Sequence, residues 1–93
     1  MSSPHIVDLP EKLTIVTVEA LHEQLEPLLN EHNEVVLNAE LVSRVDTAGL
    51  QVLLSFCQAL QKQHVAFSWS SPPDVLREGA LQLGLFNLMA LPE

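Results

Sequence analysis

The sequence predicts an α/β domain: a small, mixed but mostly parallel β-sheet with helices packed mainly on one face. Three observations carry that expectation. β-branched runs alternate with leucine-striped segments along the chain. The run Glu34-Val35-Val36-Leu37-Asn38 is apolar on both faces, as in a buried parallel strand. Proline and glycine fall at the joints between these segments, and strand-helix-strand units joined by crossovers imply parallel pairing.

The elements follow in order. His5 to Leu9 and Leu13 to Val18 are β-rich runs separated by a Leu9-Pro10-Glu11-Lys12 turn. Val18, Leu21, Leu25, Leu28 and Leu29 then fall on one helical stripe, with Thr17 placed to cap it and Glu19 at the positive end of its dipole. Pro27 removes a backbone donor, so a kink or an early helix end is expected there. After the strand Glu34 to Asn38, a loop from Ala39 to Val45 leads into a helix with Leu50, Leu53, Leu54, Cys57 and Leu60 as its core stripe. Val65 to Trp69 is the next strand. Ser71-Pro72-Pro73-Asp74 opens a third helix with a serine cap, and Gly84 stands where a left-handed C-terminal cap belongs. Leu85 to Leu91 is a last short element, strand or helix.

Length and composition bound the function. With 93 residues the chain is expected to form one domain, residues 1–93. Hydrophobic residues make up 47%, enough for a packed core and too many for a disordered acidic tail. The net charge is −8, and the four basic residues (Lys12, Arg44, Lys62, Arg77) are scattered. Nucleic acid is therefore not an expected partner, because its binding draws on clustered Lys and Arg. An anionic membrane surface is disfavoured for the same reason. The longest apolar run, Leu88-Met89-Ala90-Leu91, is far below the ~20 residues of a spanning helix. Met1 to His5 has neither a basic nor an apolar stretch, so no signal peptide is expected. A single cysteine excludes an internal disulfide and fits a reducing compartment. The expected location is cytoplasmic.

Few residues offer chemistry. His5, His22, His32 and His64 stand in four different segments with no i, i+4 pair, so surface roles are expected and no metal site. Cys57 falls on an apolar stripe and reads as a small core side chain. There is no glycine-rich phosphate loop and no acid–base pair, so neither a cofactor nor catalysis is expected.

One segment stands apart: Arg44-Val45-Asp46-Thr47-Ala48-Gly49-Leu50. It places a hydroxyl at a helix N-terminus, where free N–H groups and the dipole favour an anion such as phosphate. Gly49 keeps the first turn small and open to close approach. The alternative is plain capping by Asp46 or Thr47. On the same helix, Val52 and Phe56 lie to the side of the core stripe. They either extend an exposed contact patch or merely flank the core.

Asp46-Thr47-Ala48-Gly49-Leu50, after the Val35-Val36-Leu37 strand and before Leu53-Leu54, resembles the signature of the STAS family of anti-sigma factor antagonists. The resemblance extends over nearly the whole chain, through Leu13-Thr14-Ile15, Val65 to Trp69, and Ser71-Pro72 to Leu83-Gly84-Leu85. It implies a non-enzymatic switch with Thr47 as phosphoacceptor. The unmodified form would bind a partner, often a kinase-like anti-sigma factor, and phosphorylation would release it. Thr in place of Ser also occurs in the STAS subunit of a phospholipid-trafficking ABC transporter, so an accessory subunit bound to that ATPase is the alternative. After the third strand this chain has Asn38-Ala39-Glu40, where the family commonly has an acidic residue.

Overall fold

The computed structural model describes residues 4–30 and 34–92. The elements run β1 (His5–Asp8), β2 (Lys12–Leu13), α1 (Val18–Leu25), a 3-10 turn (Glu26–Asn30), β3 (Glu34–Asn38), β4 (Arg44–Val45), α2 (Thr47–Lys62), β5 (Ala66–Ser70) and α3 (Asp74–Gln82). Strands β1, β3 and β5 form a parallel sheet in the order β1-β3-β5, with Val7, Leu37 and Trp69 in one register row. Strands β2 and β4 form a second, two-stranded parallel pair. The expected α/β architecture is thus the one observed.

The sheet's alternation decides its sidedness. On one face Val7, Val35 and Leu37 are buried and Phe67 and Trp69 half-buried, while on the other Ile6, Ala66 and Ser68 are exposed and Val36 half-buried. The buried row faces a helix layer in which Leu21, Leu25, Leu53, Cys57 and Leu60 complete one apolar cluster. Helix α2 is central, contacting α1, α3, β2 and β5.

Pro27 acts as expected: α-helical bonding stops at Leu25 and a 3-10 turn follows. The stripe before it divides by depth. Leu21, Leu25 and Leu28 are buried in the core, whereas Val18 and Leu29 are only half-buried.

Several expected boundaries move. The run Leu13 to Val18 is not one strand, because only Lys12–Leu13 pairs. The Thr17 hydroxyl donates to the Lys12 carbonyl and accepts from the Thr14 N–H, turning the chain back on itself. Thr17 therefore occupies the N-cap position of α1 without capping it by its side chain. The expected loop from Ala39 to Val45 contains β4, and the fifth strand is shifted by one residue to Ala66–Ser70. Pro73, not Ser71, is the N-cap of α3, and Ser71 instead adopts φ 53°.

Three chain reversals share one geometry. After α3, Gly84 takes φ 72°, its N–H donates to the Leu81 carbonyl, and Leu85 N–H donates to Ala80. This is the Schellman pattern, and it bears out the left-handed cap expected at Gly84. His64 (φ 59°) closes α2 the same way, with Val65 N–H reaching back to Leu60. Ala90 (φ 55°) repeats it, with Leu91 N–H on Phe86. The segment expected as strand or helix from Leu85 to Leu91 is thus a single helix-like turn, closed by a buried Leu91.

Candidate functional site

The Asp46-Thr47 motif lies where β4 hands over to α2. Asp46 is extended (φ −135°, ψ 178°) and Thr47 is the first helical residue. One Asp46 carboxylate oxygen accepts from the Gly49 N–H at 2.9 Å, so Asp46, not Thr47, is the cap. The other oxygen accepts from the Ile15 N–H at 2.8 Å, and the Asp46 N–H donates to the Leu13 carbonyl at 3.1 Å. The Gly49 N–H foremost, then that of Ile15, holds the carboxyl below its ordinary 3.8.

This geometry changes the reading of two residues. Gly49 does not leave space for an incoming molecule. A Cβ there would run into the carbonyl of Leu13, so the glycine lets β2 lie directly on the first turn of α2. The helix N-terminus is likewise already served by a carboxylate. A phosphate on Thr47 would stand beside Asp46 rather than take its place.

Thr47 is exposed, and Gly49 and Leu50 are buried. The turn that Asp46 ties down carries two of the most exposed aliphatic side chains, Ile15 (66% exposed) and Val16 (86%). Sequence reasoning placed these two in a strand. Their signal was the Thr14-Ile15-Val16-Thr17 order, in which flanking threonines can form a turn through their own hydroxyls.

Two grooves flank the first turn of α2. Thr47 and Leu50 border one of about 310 Å³ against Val75, Glu78 and Leu83 near α3. Ala48, Val52 and Phe56 line a larger one of about 550 Å³ against Val18, Leu25 and Leu29 of the α1 region. Phe56 is only 5% exposed, so its ring belongs to the core and shows the groove one edge. Of the two readings for Phe56, flanking the core describes its burial. Val52 is half-buried.

The remaining polar candidates stay apart. His22 is exposed and lies 3.4 Å from Glu26, His64 is an exposed helix cap, and His32 lies outside the described residues. Among the described residues no three His, Cys, Asp or Glu side chains are grouped to hold a metal ion. Burial pushes the Cys57 thiol up to about 12, the behaviour of a core side chain. Asn38 donates to the Asp8 carboxylate at 2.9 Å and accepts from the Glu40 N–H at 3.2 Å, tying together the ends of two strands. Among the described residues no helix is long and apolar enough to cross a membrane.

A family model described as "Mlab, STAS domain" matches residues 2–91. The chain belongs to the STAS family. Solved structures share the STAS fold with it. A sulfate transporter family protein from Wolinella succinogenes superposes with a TM-score of 0.78 at 16% identity, over 92% of this chain and 70% of that one. TM1081, solved by NMR, gives 0.75 at 16% identity over 95% and 72%. The anti-sigma factor antagonist SpoIIAA in its unphosphorylated form gives 0.71 at 17% identity over 100% and 84%. At such identities the likeness is one of fold. A comparison with curated proteins finds no match.

Proposed function

We propose that this STAS domain is a non-enzymatic regulatory binding protein of the anti-sigma-factor-antagonist type. In this reading it acts in the cytoplasm and is controlled by phosphorylation at Thr47. One observation carries it. The exposed Thr47 hydroxyl opens α2 beside the exposed Ile15–Val16 turn, and Asp46 ties the two together. Apolar side chains around a modifiable hydroxyl make a surface that a protein can dock on. SpoIIAA, which shares the fold, is described as an anti-sigma factor antagonist in its unphosphorylated form, and that supports a phosphorylation-dependent role.

The switch works by charge. A phosphate on Thr47 adds roughly −1.5 to −2 charges. It would do so next to the Asp46 carboxylate, on a chain that already carries −8. A partner seated over Ile15, Val16 and Thr47 would then have to desolvate that phosphate, and it leaves without any change of fold. Incubation with ATP and the cognate kinase, followed by intact-mass measurement, should add one phosphate that Thr47→Ala abolishes. Modification that persists in Thr47→Ala overturns the site assignment.

Threonine rather than serine at position 47 supports a second reading, an accessory subunit bound to the ATPase of a phospholipid-trafficking ABC transporter. There Thr47 is a contact residue and phosphorylation is dispensable. A pull-down with wild type and Thr47→Glu, read by mass spectrometry, separates the two. A kinase-like regulator lost from Thr47→Glu supports the first, and a transporter ATPase supports the second.

A further inference from the structure

The geometry points to the groove between α1 and α2 as the seat of one amphipathic helix from a partner protein, basic along one flank only. This deepens the docking reading above and rests on it for the existence of a partner. The floor of the groove is apolar, built from Leu25, Leu29, Val52 and the edge of Phe56. From Ala48 to Ala59 it follows α2 for about 16 Å, the length of three helical turns. Two helices with an apolar furrow between them accept a third helix through residues at i, i+3, i+4 and i+7.

The walls differ in charge, and that sets the chemistry of the occupant. On the α1 side Glu26 lines the groove 3.4 Å from His22, and Glu19 and Glu23 stand exposed on the same helix just outside the lining. On the α2 side the rim is Gln51 and Ser55, and the helix carries no charge before Lys62 in its last turn. A helix with Lys or Arg toward α1 and neutral polar residues toward α2 complements both walls, and an acidic helix is repelled. The end of the groove carries Val18 and Ala48, next to the Ile15–Val16 turn and Thr47. A helix seated there ends beside the phosphoacceptor, so a phosphate on Thr47 bears on this same occupant.

Two fluorescein-labelled synthetic peptides test this, both 18 residues long with the same leucine stripe. One carries Lys along a single flank and the other Glu at the same positions. Anisotropy titrations with the unphosphorylated full chain should show the Lys peptide binding at least tenfold tighter. Ser55→Arg, at the exposed rim of the groove, should weaken the Lys peptide at least tenfold. Ser68→Arg, the same charge change on the helix-free side of the sheet, should change it less than twofold.

Absence of binding, equal affinity for both peptides, or equal losses in both arginine variants overturns the proposal. So does a homodimer in light scattering that Ser55→Arg dissolves, since the occupant is then a second copy. Circular dichroism establishes that each variant is folded. Repeating the titration in Thr47→Ala keeps the result independent of phosphorylation, so failure of the phosphoacceptor reading and failure of this one are told apart.

Discussion

The Asp46 carboxylate holds the backbone N–H of Ile15 at 2.8 Å, across 31 positions of sequence. With its other oxygen on the Gly49 N–H, one side chain joins the turn before α1 to the first turn of α2. The exposed aliphatic pair Ile15–Val16 and the exposed Thr47 thereby become one surface. Two backbone donors are satisfied by a single charge, which is why this carboxyl gives up its proton more readily than usual.

That depression has a sign. A carboxyl held below its ordinary 3.8 stabilises the fold above that pH and loses the contribution as pH falls through its lowered value. Asp46→Asn should therefore melt below wild type at pH 7. The gap should narrow steadily below about pH 4, because protonated wild type comes to resemble the amide. Thermal unfolding followed by circular dichroism across pH 2 to 7 checks this, and a gap that stays constant refutes it.

Gly49→Ala places a methyl against the carbonyl of Leu13, which is backbone and has no rotamer to give. The expected loss is about 1–3 kcal/mol, the usual range for overpacking. Gly84→Ala is the comparison, since nothing lies within 4 Å of its Cβ position and only the φ of 72° resists. It should cost about 1 kcal/mol. Urea midpoints should rank wild type, then Gly84→Ala, then Gly49→Ala.

His64 occupies a left-handed position at φ 59° that closes α2, where a residue without Cβ is favoured. It is exposed, so its replacement removes little packing. His64→Gly should raise stability by roughly 0.5–1 kcal/mol, visible as a higher melting temperature. A lower one would show that the imidazole contributes more than its backbone strain.

Phe56 and Ser55 are neighbours in sequence with opposite expected outcomes. Phe56→Ala should cost about 3–5 kcal/mol, because a ring only 5% exposed leaves a cavity. Phe56→Asp should leave the chain unfolded by circular dichroism. Ser55→Arg should leave stability within about 0.5 kcal/mol, as an exposed substitution on a helix surface does.

The Cys57 thiol, pushed up to about 12, is about one part in ten thousand thiolate at pH 8. A disulfide reagent should leave it unmodified in the native state and titrate one thiol per chain in denaturant. Ready modification of the native protein would contradict its burial.

The sequence by itself determined several features whose cause is local. Glu34–Asn38 is a strand with its expected bounds because the apolar run is continuous and ends in polar residues. α1 stops before Pro27 because a missing donor acts on its own turn, and Gly84 is left-handed because the helix it ends leaves carbonyls to satisfy. The motif at Asp46 to Leu50 was legible too, since capping chemistry and helical periodicity meet there.

Only the tertiary structure decided what depends on two distant segments at once. Leu13 to Val18 has the composition of a strand, but Asp46, 31 residues on, takes the Ile15 N–H that a ladder would have used. Gly49 looked like an opening and is the seat of the Leu13 backbone. Phe56 sat between two readings until the fold buried all but 5% of it and left it lining the groove beside α1. A hydrogen bond or a close approach between remote residues imposes no period on either segment. Such contacts leave no trace in the chain until it has folded.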